Sequence, residues 1–97
     1  MIYGYARVST VGQDLTIQKK ALKGAGAEKI IAEKASGKNT DRKGLKRLLA
    51  QLQSGDALII TKMDRIARNV KEGIELIDNL NEQGITLNVL NMGVFDN

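Results

Sequence analysis

Ala57-Leu58-Ile59-Ile60 is an unbroken apolar run, bounded by the turn residues Ser54-Gly55-Asp56 before it and polar Thr61-Lys62 after it. Four residues are too few for a helix. Apolar side chains at both parities mean that both faces of the strand they form are covered. Such a strand lies inside a sheet with layers above and below. Parallel neighbours need long crossovers, normally helical, so this run predicts what must flank it.

The flanking sequence supplies those elements. Residues 1–8 read as a strand, since Ile2, Tyr3, Tyr5 and Val8 favour extended backbone. Thr10 to Gln13 has the Thr-x-x-Gln form of a helix-start box, in which side chains satisfy free backbone donors. The helix runs to about Lys23 with Leu15, Ala21, Leu22 and Ala25 as a weak apolar face, and Gly24 and Gly26 stop it. Glu28 to Glu33 is a short strand around Ile30, Ile31 and Ala32. A polar loop follows, and Thr40 or Asp41 can cap the next helix. That helix carries Leu45, Leu48, Leu49 and Leu52 at i, i+3, i+4 and i+7, one apolar face. A third helix, from about Val70 to Gln83, is expected to bury Gly73, Ile74, Ile77 and Leu80 and to end at Gly84. Ile85 to Leu90 is a fourth strand, and the remainder is a tail holding Met92, Val94 and Phe95, expected to present apolar surface. The pattern β-α-β-α-β-α-β predicts an α/β fold: an open, mostly parallel sheet of at least four strands with right-handed helical crossovers and flavodoxin-like strand order. Without proline, internal repeat, low-complexity tract or linker, residues 1–97 read as one domain.

Composition narrows the chemistry. There is no cysteine and no histidine, which removes disulfides, thiolate and imidazole metal ligands, and the usual general base. No metal and no cofactor are expected. No apolar run approaches ~20 residues and the first residues lack a signal-peptide pattern, so no membrane partner and a cytoplasmic location are expected. The net charge of +4 permits a polyanionic partner. Where the arginines fall says more than their total.

In an open parallel sheet the loops after the strands emerge at one edge, beside helix N-termini whose free N–H groups favour anions. After the first strand come Arg7, Ser9 and Gln13; after the second, Glu33, Ser36, Lys38 and Arg42; after the third, Asp64, Arg65 and Arg68. One rim thus gathers a candidate hydroxyl nucleophile, guanidiniums and carboxylates. Phosphoryl transfer needs little more: a nucleophile, in-line positioning and positive charge on the non-bridging oxygens. Arginine suits the last role because its planar fork binds two phosphate oxygens and stays charged. Without histidine, the serine proton goes to a carboxylate, to water, or leaves through guanidinium polarisation. Asp64 is a candidate for proton transfer and equally for orienting an arginine, or it forms a surface ion pair with Arg65. Gln13 reads equally as a helix cap, Ser36-Gly37 more readily as a turn, and Tyr5 equally as half-buried packing with its hydroxyl in water.

Tyr5-Ala6-Arg7-Val8-Ser9-Thr10-x-x-Gln13 is similar to the active-site signature of the serine site-specific recombinases. Glu33-Lys34-Ala35-Ser36-Gly37-Lys38, Thr40-Asp41-Arg42-Lys43-Gly44-Leu45 and Lys62-Met63-Asp64-Arg65-Ile66-Ala67-Arg68-Asn69 extend the resemblance, in order, over essentially the whole chain. The compact spacing resembles the small resolvase and DNA-invertase branch. The resemblance implies that Ser9 attacks a DNA phosphodiester, giving a 5′-phosphoserine link and a free 3′-hydroxyl, reversed after strand exchange without a metal. It implies that Arg7, Arg65 and Arg68 hold the reacting phosphate, and that Tyr5, Gln13, Glu33, Ser36, Lys38, Arg42 and Asp64 are further active-site, supporting or DNA-binding positions. Glu33 stands where many members have aspartate, Ala67 where many have glycine, and Ile66 where leucine is usual.

Members of that family continue into a long helix for dimer contacts and then a helix-turn-helix. The resemblance therefore implies that residues 1–97 form the catalytic domain without those parts. DNA would be the partner and homodimers or tetramers the assembly of a full-length protein. The 97-residue chain alone is expected to be inactive in recombination and monomeric or weakly associating. Two other readings stand beside this one. A receiver-type signalling domain uses a similar fold, but needs acidic residues after the first strand where Arg7 and Ser9 stand. A non-catalytic regulatory or interaction fragment would keep the fold without the reaction.

Overall fold

The computed structural model describes residues 1–8, 13–34 and 43–96. Residues 9–12, 35–42 and 97, and the side chains of Gln13 and Asp14, lie outside the described residues, and with them the expected caps at Thr10 to Gln13 and at Thr40 or Asp41. Strands β1 (Ile2–Val8), β2 (Lys29–Lys34), β3 (Ala57–Ile60), β4 (Thr86–Val89) and β5 (Gly93–Phe95) are joined through helices α1 (Gln13–Gly24), α2 (Lys43–Gln51) and α3 (Val70–Glu82). A short 3-10 turn spans Met63–Arg65. The sheet order is β2-β1-β3-β4-β5. β1 pairs parallel with β2 and β3, and β3 parallel with β4, while β5 runs antiparallel to β4. The expected α/β class, mostly parallel sheet and flavodoxin-like order are all present.

Alternate side chains of β1 feed two cores. On one face Tyr5 joins Leu58, Ile60, Leu87 and Val89 with Leu45 and Leu48 of α2 and Leu80 of α3. On the other, Ala6 packs with Ile59 and with Leu22 of α1. Leu58 and Ile60 therefore serve one core and Ile59 the other, as the apolar run in β3 requires. Gly4 lets α1 approach: a Cβ there would stand 3.1 Å from Ala27 Cβ and 3.3 Å from Leu22 Cβ.

Four expectations are corrected. Ile74, expected inside, is 54% exposed. The buried line of α3 is Gly73 and Leu80, with Leu76 and Ile77 beside it. Ile74 sits one residue past Gly73, about 100° around the helix, which turns it off the buried line. The tail is partly a strand: Leu90, Asn91 and Met92 turn the chain and Gly93, at φ +118, starts β5. Phe95 then packs on the larger core, while Met92 and Val94 stay exposed. Ala25 lies past the end of α1 and is exposed, because α1 stops at Gly24. Tyr5 is fully buried rather than half-buried, for a reason given by its hydroxyl partner below.

Candidate active site

β1 carries Arg7 at its C-terminal end, next to last in the strand. β3 stops at Ile60, and the chain turns out of the sheet through Thr61 and Lys62 into the 3-10 turn. That turn is pinned from inside by Ile66 and Ala67, both buried. Backbone bonds from Arg65 N–H to Lys62 O, and from Ile66 and Ala67 N–H to Met63 O, close it at 3.1 Å each. The spacing Asp-Arg-x-x-Arg thus has a local cause. The two central residues anchor the turn, and Asp64, Arg65 and Arg68 are presented around it. Glycine at 73 gives the turn room, since a Cβ there would lie 3.1 Å from Met63 Cε and 3.6 Å from Ala67 Cβ.

Arg7 joins the two segments. Its Nη2 donates to the Asp64 carbonyl oxygen at 2.7 Å, across 57 positions of sequence. Arg65 Nη1 lies 3.6 Å from Asp64 Oδ1, with the Arg65 side chain 22% exposed and that of Asp64 71% exposed. Arg65 Nε is buried and has no hydrogen-bond partner among the described residues. A buried guanidinium N–H without an acceptor is costly, and its usual remedy is an anion. Arg68 is exposed and borders the groove between α2 and α3, alongside Lys46, Glu72 and Glu75. Among the described residues, no group of three or more His, Cys, Asp or Glu side chains converges to hold a metal ion.

Tyr5 and Glu33 form a separate, inner arrangement. The Tyr5 hydroxyl donates to Glu33 Oε2 at 2.5 Å. Glu33 also accepts from the first turn of α2, from Gly44 N–H to Oε1 at 2.8 Å and from Leu45 N–H to Oε2 at 3.3 Å. A carboxylate at a helix N-terminus satisfies orphan donors and opposes the helix dipole. Gly44 makes the approach possible, because a Cβ there would sit 3.2 Å from Glu33 Cδ. Both Glu33 oxygens thus face protein donors, and the pair ties β1, β2 and the start of α2 together.

Sequence reading missed Gln18. It is 3% exposed, accepts from Arg7 N–H through Oε1 at 3.3 Å and donates to Arg7 O through Nε2 at 3.1 Å. A signal was there: Gln18 follows Leu15 by three and precedes Leu22 by four, a polar residue on the apolar stripe of α1. Of the sequence candidates, Arg7, Asp64 and Arg65 are brought together, Arg68 stands beyond them at the end of the same turn, and buried Tyr5 meets half-buried Glu33. Ser9, Ser36, Lys38 and Arg42, and the Gln13 side chain, lie outside the described residues.

The chain resembles known proteins over nearly its full length. A family model described as "Resolvase, N terminal domain" matches residues 2–97. The serine recombinase gin of Escherichia phage Mu is 48% identical over 90 residues, covering 93% of this chain and 47% of the relative. A transposon Tn3 resolvase of Escherichia coli is 43% identical over 95 residues, covering 96% of this chain and 51% of the relative. The crystal structure of a resolvase family site-specific recombinase from Streptococcus pneumoniae superposes with a TM-score of 0.72 at 26% identity, covering 95% of this chain and 72% of that one. The chain spans about half the length of the curated relatives it matches.

Proposed function

Since this chain belongs to the resolvase N-terminal domain family of serine recombinases, we propose that it carries the strand-cleaving chemistry of a site-specific DNA recombinase, with Ser9 as nucleophile. The Ser9 hydroxyl oxygen forms a bond to the phosphorus of a DNA phosphodiester as the bond from phosphorus to the 3′-oxygen breaks. The serine loses its proton and the 3′-oxygen gains one. The product is a 5′-phosphoserine link and a free 3′-hydroxyl, and attack by a 3′-hydroxyl reverses the step. Conserving the phosphodiester in the serine link makes rejoining possible without an outside energy source.

The observation that carries this reading is the 2.7 Å bond from Arg7 Nη2 to Asp64 O. It holds the strand that leads into Ser9 against the turn that bears Asp64, Arg65 and Arg68. Positive charge is thereby gathered before the phosphate arrives, which is how preorganised sites stabilise developing charge. The Arg65 Nε, without a partner among the described residues, supports a role in binding a phosphate oxygen. Asp64, 3.6 Å from Arg65 Nη1, orients that guanidinium. Gln13, Ser36, Lys38 and Arg42 contribute to the same phosphate and its neighbours, and Tyr5 and Glu33 support them from below. The chain spans about half the length of the relatives it matches. Reading of the recombination site and assembly into dimers or tetramers therefore belong to a longer protein, acting on DNA in the cytoplasm. The 97 residues alone give no stable synaptic complex.

The test replaces the matching segment of the phage Mu recombinase with these residues and incubates the protein with end-labelled site DNA in excess chelator. A protein–DNA adduct on a denaturing gel is expected, and none from Ser9→Ala. An adduct from the alanine variant, or loss of the adduct on chelation with recovery in Mg²⁺, would overturn the proposal.

A further inference from the structure

Ala57 N–H donates to Met1 O at 3.1 Å, and Glu28 N–H to Ile2 O at 2.8 Å. The alternation of backbone direction along β1 therefore aims the groups of Met1, Tyr3, Tyr5 and Arg7 toward β3, and those of Ile2, Gly4, Ala6 and Val8 toward β2. Pairing of β1 with β2 continues to Val8↔Lys34, but pairing with β3 runs only to Gly4↔Ile59. β3 has already left the sheet for the turn that presents Asp64 and Arg65. Arg7 thus faces a fork between two strands, with no strand opposite its N–H and C=O.

Gln18 fills that fork. Its side-chain amide gives Arg7 one acceptor and one donor, as the missing strand would have done. The amide works in one orientation, because the Arg7 N–H needs an acceptor and the C=O needs a donor. Gln18 also stands on α1, so it binds together the two elements that flank residues 9–12. We infer that Gln18 is a positioning residue for strand cleavage: it fixes the backbone of Arg7, and with it the approach of Ser9 and the Arg7 guanidinium to the phosphate. This rests on the function proposed above. A small displacement at a reacting atom slows a reaction far more than it weakens substrate binding. A purely structural role would instead lower thermal stability and leave the rate of the folded protein alone.

The experiment uses Gln18→Leu, which removes both bonds at similar volume, and Gln18→Glu, which keeps the acceptor but turns an oxygen toward Arg7 O. Adduct formation is followed in the phage Mu hybrid described above, well below the melting temperature of every variant. Both variants are expected to slow adduct formation at saturating DNA at least about tenfold, with half-saturating DNA within about twofold of the parent. A parent-like rate, or a loss expressed in DNA affinity alone, overturns the inference. Amide hydrogen exchange at Arg7 in the 97-residue chain gives a second reading that does not need DNA. Exchange at Arg7 should quicken in Gln18→Leu relative to that at Gly4, and unchanged exchange refutes the clamp. If the parent forms no adduct, the proposed function falls, and the exchange data still judge the clamp. If Gln18→Leu does not fold, Gln18→Glu carries the rate measurement and Gln18→Met, which removes the acceptor, carries the exchange measurement.

Discussion

Removing one oxygen from the core tests how β1, β2 and α2 are held together. Tyr5→Phe keeps the ring among Leu45, Leu58 and Ile60 and deletes the hydroxyl that donates to Glu33 Oε2. A hydrogen bond to a charged group contributes about 1.5–3 kcal/mol to stability. Here the low end applies, because Glu33 keeps its bonds from Gly44 N–H and Leu45 N–H and is not orphaned. The expected loss is about 1.5 kcal/mol, or a fall in Tm of roughly 6–12 °C for a domain of this size. Urea unfolding of the 97-residue chain, followed by circular dichroism, should show a lower midpoint with unchanged slope. Glu33→Ala should cost more, since the α2 N-terminus loses its cap as well. In the double variant the Tyr5 effect should vanish, leaving a coupling of about 1–1.5 kcal/mol between two residues in contact. A Tyr5→Phe loss below about 0.5 kcal/mol, or single losses that simply add, would refute the claim that this bond fastens α2 to the sheet.

Arg7→Lys, Arg65→Lys and Arg68→Lys should each leave folding nearly intact and slow adduct formation at least about tenfold, near 1.4 kcal/mol of transition-state stabilisation, because lysine lacks the two-pronged fork. Near-parent rates in all three would show these arginines to be a solvated face. At the opposite edge of the sheet, the Met1 ammonium donates to Asp56 Oδ1 at 2.9 Å, and this raises its pKa above the ordinary 8.0. A backbone bond from Gln53 N–H and the Met1 ammonium lower that of Asp56 below 3.8. The raised amine stabilises the fold below its ordinary value and loses that effect as pH rises through its folded pKa. The lowered carboxyl stabilises above its ordinary value and loses that effect as pH falls through its own. Asp56→Asn should therefore flatten both flanks of the stability–pH curve and bring the amine titration, followed by NMR, back toward its ordinary value; an unmoved amine would refute the pairing.

Much of this molecule was legible in single stretches. The apolar run of β3, the leucine stripe of α2 and the turn residues between elements act over a few positions, so periodicity and backbone preference settle them locally. The Asp-Arg-x-x-Arg stretch was legible as a segment of the rim after β3, whereas the anchoring of its turn by Ile66 and Ala67 came from the structure. Other features depended on what arrived from far along the chain. Tyr5 can be buried because Glu33, 28 positions away, receives its hydroxyl. Ile74 is exposed because α3 rests on the sheet along Gly73 and Leu80, a seam that hydrophobicity alone does not mark. β5 exists because β4 offers an edge for pairing. Gln18 matters because β3 leaves the sheet before Arg7, which opens two backbone groups that no local pattern reveals. A strand or a helix follows from the residues within it, whereas the partner of a buried polar group follows from the packing that removed its water.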